Sequence, residues 1–304
     1  MSDCSVHFRR GSLKDVRSII SLFKSIAPRY SRTETYYRWA HFEHPIRPSR
    51  ILIGTCGAAV VAHVAICAVN LPDGRIAGFP QQVLVHPDYR SFAVIAEMLQ
   101  EINRIVIDEY DFGIGFPNTT FAPVLEKIGR WTRQEPISDI VIQPRMESDI
   151  SATSFFEHLL FEEDMNDSTM LEGPSVDWLR WRYFSHPTEH YDIVGEVHDS
   201  EIRNYAVLKV FETQTAVRVG HIIEAGWSSH DFLAKLQDSI LSWVNYHTVS
   251  RVTTWETSNH LDLLSSIGSV PDKNEYEPVV TNLYTFGADF FSRAGLSMGV
   301  SDAY

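Results

Sequence analysis

The stretch Val85–Val94, VHPDYRSFAV, joins an apolar run to a long amphipathic pattern. The run before it, GFPQQVLV from Gly78, predicts a strand, and the apolar spacing after Ser91 predicts a helix over residues 92–110. Pro87 cannot continue a strand ladder, and Ser91 is a typical helix N-cap. The stretch therefore predicts a strand, a turn and a helix start. Backbone N–H groups at such a helix start suit an anion, although the turn has no glycine.

A repeat relates the two halves of the chain. Residues 37–45, YRWAHFEHP, match residues 179–187, LRWRYFSHP, at Arg, Trp, Phe, His and Pro. Each copy is followed by a β-rich hairpin region, 51–71 in the first half and 191–212 in the second, then by a strand opened by glycine and a long helix. This shared order favours a duplicated domain over a chance match.

Each half continues with a short strand, a short helix that stops at an Ile-Gly pair, and a final strand. Glycine at that position suits a left-handed helix cap. The alternation of helices and strands predicts an α/β (α+β) fold class, with two domains that each have a mixed central sheet flanked by helices. We expect the first domain to span 1–146 and the second 147–304.

Composition limits the classes of partner. The chain has 304 residues, 44% of them hydrophobic, which is enough for two packed cores. Its formal net charge of −13 argues against a nucleic-acid partner, because nucleic-acid binding depends on Lys and Arg that neutralise phosphates. No window approaches the length of an apolar membrane span, and the first residues lack the apolar core of a signal peptide. We therefore expect a cytoplasmic protein.

No metal site is expected. The three cysteines have no C-x-x-C spacing, which zinc sites commonly use. His186 and His190 have H-x-x-x-H spacing, but Pro187 between them argues against the helix face that would hold zinc.

The turn between the predicted strand and helix resembles the core signature of the GNAT superfamily of acyl-coenzyme A dependent N-acyltransferases. That signature, V-x-P-x-x-R-G-x-G-x, corresponds here to Val85, Pro87 and Arg90 followed by residues 91–94. The resemblance covers roughly residues 5–145. It departs from the family at Ser91 and Ala93, which stand where the signature has glycine.

A second landmark of the family is an Asn after the next strand with a Gly eleven residues later. Asn118 and Gly129 have this spacing. A weaker copy of the pattern covers about 175–290, with EAGWSSHDF from Glu224 in place of the signature. The tandem arrangement is similar to two-domain GNAT-like N-acyltransferases that act on nucleotide-linked amino sugars, whose C-terminal copy has lost the cofactor signature.

The resemblance implies acetyl-CoA, or another short acyl-CoA, as co-substrate. Its pyrophosphate would lie at the helix N-terminus beside Arg90, and the preceding strand would offer backbone groups to the pantetheine arm. Ser91 and Ala93 are small enough to permit close approach. The residues expected to bind the cofactor are Val83, Leu84, Val85, Arg90, Ser91, Phe92, Ala93, Val94 and Asn118.

Candidates for proton transfer are few. GNAT proteins often carry a Glu or His on the strand before the cofactor turn and a Tyr seven residues after the Asn; here these positions hold glutamines and Leu125. By location His63 and His86 are the catalytic candidates. The alternatives are that His63 is a satisfied core residue and His86 faces solvent, which would leave catalysis to positioning of the reactants.

The acceptor site is expected near the loop between the first two helices, where GNAT proteins often bind their acceptor. Arg29, Tyr30 and Arg32 lie in that loop, and its two arginines suit a nucleotide diphosphate. Gln81 and Gln82, on the strand before the turn, complete the predicted substrate-binding set because an amide side chain can hold a sugar hydroxyl.

The predicted function is transfer of a short acyl group from acyl-CoA to the amine of a nucleotide-linked (dTDP or UDP) amino sugar in bacterial surface-polysaccharide synthesis. The second domain would form a wall of the acceptor site. The alternatives are acetylation of another amine, such as a polyamine, an antibiotic or a protein N-terminus, and a non-catalytic GNAT-fold binding protein. A Fem-like aminoacyl transferase would need a transfer RNA partner, which the net charge disfavours.

Overall fold

A computed structural model gives the structure of the chain. It describes residues 5–28, 32–71, 73–145, 155, 157, 159–165, 168–170, 175–213, 216–255, 263–264, 267–269 and 279–287. These residues form two compact units. The first holds the residues up to Pro136 and the segment that starts at Asn282, and the second holds Ile137–Thr281.

The first unit is a seven-stranded sheet with helices on both faces. Its helices are α1 (Val16–Ile26), α2 (Glu34–Phe42), α3 (Phe92–Glu109) and α4 (Ala122–Lys127). Its strands are β1 (His7–Arg10), β2 (Arg50–Cys56), β3 (Ala59–Asn70), β4 (Ile76–Val85), β5 (Phe112–Gly115), β6 (Thr132–Arg133) and β15 (Tyr284–Phe286). The strand order is β1-β2-β3-β4-β5-β15-β6. The sheet is mixed because β4 and β5 run parallel and the other neighbours run antiparallel.

Alternate residues of the central strands supply two cores, one on each face of this sheet. Ile51 and Ile53 of β2 pack in the cluster that contains α1, whereas Leu52 between them packs in the cluster that contains α3. β3 is buried along most of its length for the same reason. A strand covered on both faces shows a near-continuous apolar run, which VVAHVAICAV displays.

The second unit has the same layers. It contains α5 (Val176–Leu179), which continues as a π-helical turn (Arg180–Phe184), and α6 (His230–His247). Its strands are β7 (Ile137–Pro144), β8 (Thr169–Met170), β9 (Asp192–His198), β10 (Glu201–Glu212), β11 (Arg218–Trp227), β12 (Arg251–Trp255), β13 (Gly268–Ser269) and β14 (Val280–Thr281). The path of its eight-stranded sheet is β13-β7-β12-β11-β10-β8, with β9 paired to β10 and β14 to β7. The predicted fold class, two α/β units with mixed sheets flanked by helices, is confirmed.

The internal repeat is structural. Four successive elements of the second unit begin and end at the same constant offset from their counterparts in the first: 34–42 and 176–184, 50–56 and 192–198, 59–70 and 201–212, and 76–85 and 218–227. The long helices break this offset, since α3 begins at Phe92 and α6 at His230. The connection from strand to helix covers 86–91 in the first unit but only 228–229 in the second. The second unit therefore lacks the turn that carries the signature.

The observed units differ from the expected domains 1–146 and 147–304 in two strands. β7 pairs with β12 in the second unit's sheet, although it precedes the expected boundary. β15 lies between β5 and β6 of the first unit, although it comes near the end of the chain. Each of these apolar strands covers a sheet edge that would otherwise leave backbone groups unpaired.

None of the helices within the described ranges is long and apolar enough to span a membrane.

Candidate functional site

A cleft opens in the first unit where β4 and β5 separate. These parallel strands pair only through Ala77 with Phe112 and Gly78 with Gly113. Beyond Gly78, β4 continues to Val85 while β5 ends at Gly115, so none of the described strands pairs with this part of the β4 edge that faces β5. A cavity of about 850 Å³ fills this gap. The two strands therefore separate beyond Gly78 and leave room for a ligand between them.

The cavity is mostly apolar. One wall is residues 80–85 of β4, the opposite wall is residues 115–118, and Met98, Leu99 and Ile102 of α3 line its interior. The lining set contains no Asp, Glu, His, Lys, Cys or Tyr among the residues that the structure describes; Arg32 and Arg90 are its two charged members. The cavity therefore favours apolar and anionic groups.

The turn that follows β4 needs no glycine. Pro87–Tyr89 form one turn of 3-10 helix, and Ser91 caps α3 by accepting a hydrogen bond from the Val94 backbone N–H at 3.3 Å. Ser91 has an extended backbone with φ −113°, which any residue adopts. The small side chains of Ser91 and Ala93 are exposed, so the first N–H groups of α3 are accessible.

Arg90 lies between this helix start and the cavity. Its guanidinium donates to the Val85 carbonyl oxygen at 2.9 Å, and the residue is exposed while it lines the cavity. Phe92, the first residue of α3, has 72% of its surface exposed and is not among the lining residues. Of the other residues expected to bind cofactor, Val83, Leu84, Val85 and Asn118 line the cavity; Ala93 and Val94 belong to the first turn of α3.

His63 is buried below the cleft, and both its ring nitrogens are hydrogen-bonded. Nδ1 lies 2.9 Å from the Gln82 carbonyl oxygen and Nε2 lies 2.7 Å from the Tyr37 hydroxyl. Because a carbonyl oxygen only accepts, Nδ1 carries the proton and Nε2 accepts from Tyr37. Burial lowers the pKa of His63 to about 4, so the ring is neutral. The structure thus places this catalytic candidate in the core, with no free nitrogen for a substrate.

His86 is also outside the cavity. It stands at the start of the 3-10 turn, where its Nδ1 accepts from the Asp88 backbone N–H at 3.4 Å. Its side chain is partly exposed and is not among those that line the cavity. Neither histidine predicted from sequence is positioned to take a proton from a group bound there.

The predicted acceptor residues are only partly brought together. Gln81, Gln82 and Arg32 line the cavity, whereas Arg29 and Tyr30 lie outside the described residues. Arg32 stacks its guanidinium over the Tyr36 ring at 4.7 Å. Cation–π stacking of this kind holds a guanidinium without neutralising its charge.

Gln81 has a buried amide with one unused polar atom. It is 4% exposed and its Nε2 contacts the Cys67 sulfur, while its Oε1 has no hydrogen-bond partner in the described part of the chain. Buried polar groups normally find a partner. This oxygen has almost no solvent-accessible surface, so it is not open to a group bound in the cavity, although other atoms of Gln81 line that cavity.

Gln82 is the most unusual backbone position of the site. Ala65 pairs with Gln81 and His63 pairs with Leu84, so β4 carries one extra residue here, a β-bulge. Gln82 has φ +55°, in the left-handed region that non-glycine residues rarely occupy. Its side-chain Oε1 lies 3.2 Å from Nε2 of His41, a buried residue of α2.

The positions of His41, His63 and Gln82 also form a contact cluster in the second unit. By the offset of the repeat, Tyr183, Tyr205 and Glu224 are the counterparts of the positions 41, 63 and 82. There the two tyrosine hydroxyls donate to the Glu224 carboxylate at 2.6 and 3.0 Å. Sequence reasoning missed His41 and this cluster, although the constant offset was a signal that could have found them.

Burial raises the pKa of Glu224, and it raises the pKa of Tyr183 and Tyr205 well above the ordinary value. The hydroxyls therefore remain donors at neutral pH. No cluster of three or more His, Cys, Asp or Glu that could hold a metal ion occurs within the described ranges.

Comparison with known proteins identifies the architecture. Solved structures that match over most of the chain include a probable N-acyltransferase from Enterococcus faecalis V583, with a TM-score of 0.60 and 10% identity over 92% of this chain and 72% of that one. The chain has the GNAT fold. A GCN5-related N-acetyltransferase from Kribbella flavida gives a TM-score of 0.60 and 14% identity, covering 93% of this chain and 71% of that one.

Tandem GNAT architecture is also found among the matches. A tandem GNAT protein from the clavulanic acid biosynthesis pathway matches with a TM-score of 0.52 and 13% identity, over 92% of this chain and 98% of that one. No family model matches the chain, and no curated protein matches it by sequence. At these identities the likeness concerns the fold.

Proposed function

We propose that the chain is an acyl-CoA-dependent N-acyltransferase whose acyl-CoA site lies in the first unit. The observation that carries this proposal is the cleft between the separated ends of β4 and β5, which leads to the α3 N-terminus and Arg90. The second unit has the same fold but a much shorter connection between strand and helix, 228–229. The proposal therefore assigns cofactor binding to one unit.

The residues present fit acyl-CoA. The open edge of β4 supplies backbone donors and acceptors for an amide-containing arm, and the apolar walls suit the methylene parts of that arm. The exposed N–H groups of the α3 start and the Arg90 guanidinium suit a pyrophosphate. Acyl-CoA, when bound, supplies the activated acyl group as a thioester.

The chain's own contribution is positioning. The described lining residues include no carboxylate and no histidine. The acceptor amine must therefore lose its proton, and so become nucleophilic, without a base in the cavity. Holding two reactants in a productive geometry can by itself supply several kcal/mol of the barrier reduction.

The acceptor that the charges favour is an amine on an anionic carrier. Arg32 is the cation in the lining set besides Arg90, and the absence of described carboxylates there gives a polyamine no counter-charge. A nucleotide-linked amino sugar has both an amine and a diphosphate, which an arginine can bind. We assign the reaction to surface-polysaccharide synthesis in the cytoplasm, where nucleotide-linked sugars are made.

The missing base also supports a second candidate, a GNAT-fold protein that binds acyl-CoA without turnover. One experiment separates the two. Release of free thiol from acetyl-CoA is measured with dTDP- and UDP-linked amino sugars, polyamines and no acceptor, alongside calorimetric titration of acetyl-CoA alone.

Turnover with nucleotide amino sugars supports the enzyme, and binding without turnover supports the binding protein. R90Q should weaken acetyl-CoA binding about tenfold or more, since hydrogen bonds to charged groups contribute about 1.5–3 kcal/mol. R104Q is the matched control: Arg104 lies on the same helix, where it pairs with Glu101 and Asp108 outside the cavity lining. Equal binding by both variants, or no binding by the parent at near-millimolar ligand, would contradict the proposed site.

A further inference from the structure

The bulge at Gln82 is held from below by His63. The Gln82 carbonyl oxygen accepts a hydrogen bond from His63 Nδ1 at 2.9 Å. In a regular strand this carbonyl would instead accept from a backbone N–H of the neighbouring strand. His63 in turn is fixed by Tyr37 at 2.7 Å and by the edge of the Phe23 ring, whose centroid lies 5.3 Å away. A ring with no exposed surface and two fixed nitrogens gives the Gln82 carbonyl one orientation.

The orientation of that carbonyl determines what β4 offers to the cleft. Rotating the peptide that follows Gln82 moves the Gln82 carbonyl and the Val83 N–H together, because a peptide group is planar. Both residues line the cavity, on the edge of β4 that β5 leaves open. Holding the carbonyl toward His63 therefore fixes the direction of the neighbouring N–H.

The second unit provides an internal comparison. Its equivalent tyrosines bind the side chain of Glu224, and no left-handed residue occurs within β11. A buried polar cluster at these three positions is thus common to both units. In the first unit, which has the cleft and the cofactor turn, the side chain of His63 on β3 instead contacts the backbone carbonyl of Gln82, the residue with left-handed φ.

We infer that His63 is a positioning residue, which holds the Gln82 peptide in its left-handed conformation so that the open edge of β4 is preorganised for the thioester arm. This inference rests on the proposed function. It replaces the role of general base that the sequence offered for His63. His41, whose Nε2 contacts the Gln82 side chain, restrains the same residue from the other end.

Two isosteric substitutions separate the roles of the two ring nitrogens. The amide nitrogen of H63N occupies the place of Nδ1 and can still donate to the Gln82 carbonyl; that of H63Q occupies the place of Nε2 and cannot. A positioning role predicts that H63Q weakens acetyl-CoA binding at least tenfold and that H63N changes it less than threefold. Neither amide is a base, so a general base at this position would instead leave binding intact and abolish turnover in both.

Thermal midpoints of both variants distinguish positioning from general loss of structure. If H63Q does not fold, the double variant H63Q/Q82G is measured in its place. Because glycine adopts positive φ without strain, this double variant should recover stability and part of the acetyl-CoA affinity. Equal acetyl-CoA affinity of H63Q and the parent would overturn the inference. Absence of acetyl-CoA binding by the parent would overturn the proposed function instead.

A ligand-free measurement tests the geometry by itself. Imidazole 15N shifts of His63 should show a neutral ring protonated at Nδ1 at neutral pH, and the same tautomer should vanish only on unfolding. A ring protonated at Nε2 would contradict the contact to the Gln82 carbonyl, whatever the protein's activity.

Discussion

The two buried histidines of the first unit should make its stability fall on mild acidification. Burial lowers the pKa of His41 to about 3 and of His63 to about 4, and both rings contact neutral partners. Their unfolded pKa is about 6.5. Between these values the unfolded chain binds protons that the folded chain excludes, so stability is lost as pH falls below about 6.5.

The size of this effect follows from the linkage relation. Each histidine costs about 1.4 kcal/mol per pH unit while it is neutral in the folded chain and protonated in the unfolded chain. From pH 7.5 to pH 5 this amounts to about 2 kcal/mol for each ring, or about 4 kcal/mol together. That is a large share of the roughly 5–15 kcal/mol that typically stabilises a domain.

The assay is urea unfolding of the full chain from pH 7.5 to pH 5, compared with the double variant H41Q/H63N. Each amide keeps the donor toward Gln82 but does not titrate. The parent should lose about 4 kcal/mol more than the variant over the interval. The chain's other histidines contribute equally to both proteins, so the difference isolates the two rings. Parallel stability curves for parent and variant would refute the reasoning.

Three further substitutions test individual contacts. G220A places a Cβ 2.7 Å from Trp243 of α6, and should cost the second unit about 1–3 kcal/mol by urea unfolding; unchanged stability would show that the helix can shift. Y205F removes one of two hydroxyl donors to the buried Glu224 carboxylate and should cost about 1–3 kcal/mol, whereas an unchanged midpoint would mean that Tyr183 suffices. S91A should cost about 1 kcal/mol through loss of the α3 N-cap, while S91G should cost only a few tenths; equal losses would exclude the cap as the cause.

Much of the fold was predictable from the sequence because it depends on local pattern. The helix from Phe92 ends at Glu109, one residue before the predicted end, and the hairpin strands match the two predicted β-rich regions to within one residue, since β2 begins at Arg50. The repeat seen in YRWAHFEHP and LRWRYFSHP keeps its offset over four elements. Hydrophobic periodicity and capping residues specify such elements within a short window.

The pairing of β7 and β15 was not predictable from that pattern. Each is a short strand, and sequence order alone assigns it to the other unit from the one whose sheet it joins. The choice depends on which edge is open in three dimensions, which short-range periodicity does not record.

The site shows the same division. The strand, the turn at residues 86–91 and the helix start followed from the residues, and Ser91 has the ordinary backbone conformation expected of a turn without glycine. The role of His63 did not, because it depends on Tyr37 and Gln82, which are 26 and 19 residues away in sequence. An isolated histidine in an apolar strand does not reveal its partners.

The most direct test of the account is a crystal structure of the full chain with acetyl-CoA. The account predicts the pyrophosphate at the start of α3 beside Arg90, and the pantetheine arm along residues 80–85 of β4 in the cleft. Ligand at the corresponding strand of the second unit, or a cleft that stays unoccupied when the protein is soaked at near-millimolar acetyl-CoA, would contradict it.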